Sequence, residues 1–205
     1  MELVKYNNNS ISAVTSASSI PSGALTHIKT LTASSSATLS FVDGSDGVVL
    51  DSTYPIYKFE FINIHPSGTN TKFQFNMSTD SGSNYNVTKT TTSFGAYHAE
   101  NDSYSALRYD APLDLAQGTG FQTLFETGTP NNEESSAGTL TLFNPSSTTF
   151  VKHFISDCTN AYEYTVRNLI AGYGNITSAV DAIQFKMESG NIDSGKIKLY
   201  GIKDS

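Results

Sequence analysis

The sequence predicts an all-β protein: a jelly-roll-like antiparallel β-sandwich over residues 23–205, preceded by an extended N-terminal arm over residues 1–22. Three observations lead there. Apolar residues recur with period two in short runs. Gly, Asn, Asp, Pro and Ser clusters separate those runs. The aromatic residues are Tyr (11) and Phe (12) with no Trp, set among Ser, Thr and Asn, a mixture that favours strands and turns over helices. A chain of 205 residues with 38% hydrophobic content fits one core.

The elements follow in order. Met1 to Ser22 carries Asn7, Asn8, Asn9 and Ser16, Ala17, Ser18, Ser19 with no sustained period. Such a segment cannot by itself bury enough apolar area to offset its ordering entropy, so it is expected to be disordered or ordered by a neighbouring subunit. Strands are predicted at Leu25 to Thr32 and Thr38 to Val42. The clearest one places Tyr57, Phe59 and Phe61 on one face, with Lys58, Glu60 and Ile62 on the other. Pro55 opens it, and His65, Pro66, Ser67 and Gly68 read as the turn that closes it. Phe73, Phe75 and Met77 then alternate with Lys72, Gln74 and Asn76, and the two runs read as adjacent antiparallel strands. Weaker runs span Tyr85 to Phe94, Gln122 to Thr127 and Tyr162 to Tyr173. Between them, Ala99 to Gly118 breaks the period and reads as a long loop with a helical turn at Ser105 to Tyr109. Leu140 to Phe143, Phe150 to Ile155, Ile183 to Met187 and Ile197 to Tyr200 complete ten or eleven strands. The units Tyr57 to Met77 and Ile183 to Tyr200 share a strand-turn-strand layout. The last strand is expected to seal the sandwich, with Gly201 letting another backbone approach. No solenoid period and no heptad pattern is present.

Composition narrows the function. Only 15% of residues are charged, against roughly 25% in an average domain, so much of the surface is uncharged and polar. A net charge of -7 argues against a nucleic-acid partner, whose phosphates need clustered Lys and Arg. No apolar run reaches the roughly 20 residues that cross a bilayer, and the N-terminus lacks a signal-peptide pattern. Synthesis in a cytoplasm without membrane insertion is therefore expected. The single Cys158 permits no internal disulfide.

The titratable residues give little sign of a reaction centre. His27, His65, His98 and His153 share no metal-ligand spacing. Asp43 and Asp46, with Asp51 shortly after, form the best calcium candidate, because hard cations take several oxygens from one flexible loop. The turn lacks a full EF-hand spacing and a closing Glu, and a plain Asp-Gly hairpin turn is the simpler explanation. Asn191, Asp193 and Gly195 make a second turn of this kind. A hydrolase would have to use Ser93 or Ser103 with His98, or carboxylates such as Glu126, Glu133 and Glu134. No nucleophile elbow, phosphate-cradling loop or dinucleotide fingerprint accompanies them. No cofactor and no catalysis is expected. The stronger signal is aromatic. Tyr97, Tyr104, Tyr109, Tyr162, Tyr164 and Tyr173 lie in loop-like or weakly periodic segments among Asn, Asp and Ser, a composition suited to sugar stacking or to a protein interface.

Four stretches carry a resemblance: Leu31 to Ala37 with the strand after it, Tyr57 to Pro66 (YKFEFINIHP), Leu142 to Ile155 (LFNPSSTTFVKHFI) and Gly190 to Lys203 (GNIDSGKIKLYGIK). Along nearly its whole length the chain resembles uncharacterised structural proteins of marine bacteriophages, of the kind that infect cyanobacteria and pelagic bacteria. The resemblance implies a virion component, decorating the capsid or belonging to the tail, with other virion proteins as partners. It implies no catalytic residues. Release by lysis would place such a protein outside the cell without a signal peptide or disulfides. The expected function is therefore assembly within a virion as a homo-oligomer, a trimer being one form. The alternative is a carbohydrate- or receptor-binding module that contacts the host envelope. A glycan-degrading enzyme is the third reading.

Overall fold

A computed structural model describes residues 24–204, so the N-terminal arm expected over residues 1–22 lies outside the described residues. The chain is all-β, with twelve strands among the described residues. They are β1 (Leu25–Thr32), β2 (Leu39–Val42), β3 (Ile56–Pro66), β4 (Lys72–Ser78), β5 (Lys89–Ala99), β6 (Ser105–Tyr109), β7 (Gln122–Glu126), β8 (Ser136–Phe143), β9 (Lys152–Tyr162), β10 (Tyr164–Gly174), β11 (Ala182–Met187) and β12 (Ile192–Ile202). One turn of 3-10 helix, Ala111–Leu113, follows β6.

The strands form two antiparallel sheets packed as a sandwich. One has eight strands in the order β1-β12-β3-β8-β9-β10-β5-β6, and the other has four, β2-β11-β4-β7. The alternation in β3 works as its pattern dictates: Tyr57, Phe59 and Phe61 point inward and are buried, while Lys58, Glu60 and Ile62 are only half-buried. Phe185 of β11 sits centrally between the sheets, 5.3 Å from the rings of both Phe59 and Phe61. Phe41 of β2 meets Phe59 edge-on at 5.3 Å, Phe73 of β4 meets Phe61 at 5.3 Å, and Phe75 of β4 meets Phe154 of β9 at 5.0 Å. Edge-on contacts of this kind add to the stabilisation from apolar burial, because the positive ring edge meets the negative face.

Several expectations are corrected. The runs Tyr57 to Ile62 and Phe73 to Met77 are not neighbours in one sheet. β3 belongs to the large sheet and β4 to the small one, so their aromatic faces oppose each other across the core. The same holds for β11 and β12, and the two look-alike units lie side by side, with β12 paired to β3 and β11 paired to β4. Period two reveals a buried face but not the partner strand, and two inward aromatic faces are equally satisfied by packing face to face. β3 also runs into its predicted closing turn, as far as Pro66, by way of an irregularity at Asn63 (φ 50°) opposite Gly195 (φ 120°). A Cβ on Gly195 would lie 2.6 Å from the Asn63 carbonyl oxygen, so glycine is required there. What approaches Gly201 is a side chain: the Tyr54 ring lies where its Cβ would be, 2.3 Å away.

The helical turn expected at Ser105 to Tyr109 is instead strand β6, paired antiparallel to β5 from Phe94 opposite Tyr109 to His98 opposite Ser105. With β9 and β10, these two strands extend the large sheet by four. The hairpin β5–β6 lies in sequence between β4 and β7, and β9–β10 lies between β8 and β11. The extension is tied to the sandwich by buried polar groups. Lys89 of β5 and Lys152 of β9 flank Gly174 of β10 in register, and both are fully buried. Lys89 Nζ donates to Asn76 Oδ1 and, at 2.7 Å, to the Val87 carbonyl. Lys152 Nζ donates to the Phe150 carbonyl at 2.6 Å and to those of Ile176 and Thr177 at 3.3 and 3.2 Å. Neither ammonium has a carboxylate partner among the described residues, and burial lowers the pKa of both, that of Lys89 to about 7.

Candidate functional site

The small sheet ends at β7, which packs over β9 and β10. Beyond it the inner face of the extension opens into a cleft of about 350 Å³ lined by Tyr97, Tyr104, Arg108, Glu126, Tyr162 and Tyr164. The local sequence explains how the tyrosines converge. Tyr162 and Tyr164 are paired residues on either side of a one-residue turn at Glu163 (φ 34°), so both project from the same face at the end of the β9–β10 hairpin. Tyr97 reaches that face from β5, as the inward position of its alternation. Tyr104 arrives from the turn between β5 and β6, where Asp102 has φ 59° and the Ala99 amide donates to the Tyr104 carbonyl at 2.8 Å. The two turns are joined, since the Glu100 amide donates to the Glu163 carbonyl at 3.0 Å.

The ring geometry forms corners. Tyr104 and Tyr164 stand 89° apart with centroids at 6.1 Å, and Tyr162 and Tyr164 stand 61° apart at 5.7 Å. Arg108, from β6, lies over the Tyr97 ring at 4.3 Å. The buried Asp110 carboxylate anchors this side: it accepts from the Tyr97 hydroxyl at 2.9 Å and from Arg108 Nη2 at 3.0 Å. Desolvation, reinforced by the Asp110 hydrogen bond, pushes the Tyr97 phenol up to about 12. Burial, and then the nearby Glu126 carboxylate, raises the Tyr162 phenol as well. The Tyr97 and Tyr162 hydroxyls are therefore protonated at neutral pH, and the rings of Tyr104, Tyr162 and Tyr164 offer faces for stacking.

Of the six tyrosines singled out from sequence, the structure brings four together. Tyr109 and Tyr173 are not in the cleft. Tyr109 belongs to the outer face of the large sheet, opposite Phe94, and its hydroxyl meets Asp114. Tyr173 is on the outer face at the far end of β10, 6.1 Å from the His153 ring. Arg108, Asp110 and the cleft position of Glu126 escape sequence reading, because nothing local marks residues that meet tyrosines from three other segments.

The remaining candidates do not converge. Asp43 accepts from the Leu50 amide at 2.8 Å, Asp46 pairs with Lys29 of β1, and Asp51 accepts from the Thr53 amide at 2.7 Å, so each serves a separate contact. Among the described residues no group of three or more His, Cys, Asp or Glu is placed to hold a metal ion. The second turn expected at Asn191, Asp193 and Gly195 is instead largely strand: Asp193 and Gly195 lie in β12, where Asp193 is 3.6 Å from His65. Ser93 and His98 are an odd number of residues apart on β5 and so point to opposite faces. Ser93 is buried, and exposed His98 meets Asp102 at 3.1 Å. Glu134 is held by the Thr129 backbone and hydroxyl. The Cys158 thiol is buried and pushed up to about 12. Comparison with protein-family models, curated proteins and solved structures finds no match to this chain.

Proposed function

We propose that the chain is a non-enzymatic bacteriophage virion protein with a jelly-roll core, and that its tyrosine cleft engages a glycan of the host envelope. The observation that carries this reading is the convergence of Tyr97, Tyr104, Tyr162 and Tyr164 in one open cleft at the end of the large sheet. Sugar rings present apolar C–H faces and hydroxyl edges, and a tyrosine corner offers both a face and a hydroxyl at small cost in side-chain entropy. The jelly-roll assignment is supported by strand order. β1-β12-β3-β8 facing β2-β11-β4-β7 is the order of two Greek keys wound together, and the hairpins β5–β6 and β9–β10 are insertions that build the cleft. The virion setting rests on the sequence resemblance. Binding without turnover is supported by the cleft's contents: one exposed carboxylate, Glu126, and one buried one, Asp110, already committed to Tyr97 and Arg108.

Host-cell adsorption of the purified chain and a glycan array test this, each with Tyr104→Ala and Tyr164→Ala. Loss of binding in both variants is expected. Unchanged adsorption with both rings removed would sink the glycan reading.

A second reading, assembly through protein–protein contacts, is favoured by the outer face. Leu107 is 77% exposed, Tyr109 64% and Phe94 43%, and Phe94 lies in register between Tyr109 and Leu169. Such an apolar strip beside terminal strand β6 suits a contact with another virion protein or a second copy. Incorporation into particles that Leu107→Lys abolishes, with adsorption intact, is the outcome this reading expects.

A further inference from the structure

We infer that the glycan selected by the cleft carries a free ammonium group, that is, an amino sugar that is not N-acylated, with the ammonium directed at Glu126. This rests on the glycan reading above and adds to it the charge of the ligand. Arg108 is neutralised inside the protein by Asp110 at 3.0 Å and is laid over Tyr97. Glu126 has neither a hydrogen-bond nor an ion-pair partner among the described residues. Lys72, in register with Glu126 across the β4–β7 ladder, pairs with Glu188 at 3.7 Å. The cleft therefore holds one uncompensated negative charge.

The rings around that charge point the same way. The faces of Tyr104, Tyr162 and Tyr164 carry the negative part of the aromatic quadrupole, and at 89° and 61° they form walls that a cation can approach from two sides. The cleft already holds one cation in this manner, the Arg108 guanidinium 4.3 Å from the Tyr97 centroid. An ammonium on a sugar ring gains from both the carboxylate and the ring faces, while the pyranose stacks. An N-acetylated sugar keeps the stacking and loses the charge term. A uronate meets Glu126 with no free cation to offset the repulsion.

Exposed cation–π contacts and exposed ion pairs are each modest, so the preference expected is about threefold to tenfold, weakening as salt rises. The test is calorimetric titration of the whole chain with three oligosaccharides of equal length: glucosamine at a pH where its amine is protonated, N-acetylglucosamine, and a uronate. Glucosamine is expected to bind tightest and uronate weakest. Glu126→Gln is expected to bring glucosamine down to the affinity that the same variant has for N-acetylglucosamine. Glu60→Gln, which removes a charge from β3, is expected to leave the order intact. Equal binding of the three, or a glucosamine preference that survives Glu126→Gln, would overturn the inference while keeping the glycan reading. Failure of all three to bind would overturn both.

Discussion

The buried lysine that ties the extension to the sandwich gives a pH dependence whose sign follows from its environment. Lys89 is fully buried and its ammonium has no carboxylate partner among the described residues, so desolvation lowers its pKa from 10.5 to about 7. Between pH 7 and 10.5 the unfolded chain holds a proton on this amine that the folded chain lacks. The unfolded state binds more protons, so stability rises with pH through that window. Below pH 7 both states are protonated and the cost of burying the ammonium is fully present. At about 1.36 kcal/mol per pH unit, the span from about 7 to 10.5 is on the order of 5 kcal/mol. Lys152, lowered by the same cause, acts in the same direction. Cys158 and Tyr97 oppose it at higher pH, because their folded pKa values are pushed up to about 12. Urea unfolding of the protein and of Lys89→Met at pH 7, 8 and 9 isolates the lysine, since the opposing groups cancel in the difference. The substitution leaves Asn76 Oδ1 and the Val87 carbonyl without this donor, costing about 1–3 kcal/mol per group, but that cost does not vary with pH. The stability of the protein relative to Lys89→Met is expected to increase by about 2–3 kcal/mol from pH 7 to pH 9. A constant difference would mean that Lys89 stays charged inside the fold, and the desolvation argument would be wrong.

Three further outcomes are expected. Phe185→Ala removes the ring shared by Phe59, Phe61 and Phe73 and should destabilise by about 3–5 kcal/mol in the same urea assay. Gly201→Ala places a methyl 2.3 Å from the Tyr54 ring, which must move, so a loss of about 1–3 kcal/mol is expected and Tyr54→Ala in the same chain should recover part of it. Asp110→Ala leaves the Tyr97 hydroxyl and Arg108 without their buried acceptor. It should lower the Tyr97 phenol pKa by spectrophotometric titration and weaken cleft binding.

Much of the fold could be read from the sequence where burial imposes a period. β1 is predicted with its observed bounds, and β3 is visible because Tyr57, Phe59 and Phe61 must all face one core. Pairing was not legible, since the alternation in β3 and β4 satisfies a neighbour or an opposing sheet equally. β6 reads as helical in the sequence because Ala106, Leu107 and Arg108 are good helix formers. Five ladder pairs to β5 override that preference. The tyrosines were visible as a residue type, and Tyr162 and Tyr164 even show the two-residue spacing that puts them on one face. Their meeting with Tyr97 and Tyr104 depends on β5 pairing with β10, whose partners lie about 65–85 residues apart and which no local pattern encodes. Arg108 and Asp110 join Tyr97 through the β5–β6 pairing, which the helix-forming residues of β6 disguise, and Glu126, recognisable in the sequence as a carboxylate, reaches the cleft only because β7 packs over β9 and β10.

The most direct test of the central claim is amide and side-chain NMR of the isotopically labelled chain during titration with glycan released from a host envelope. Saturable shifts confined to Tyr97, Tyr104, Arg108, Glu126, Tyr162 and Tyr164 are the expected result. Shifts confined to the outer face, at Phe94, Leu107 and Tyr109, with the cleft silent, would contradict it.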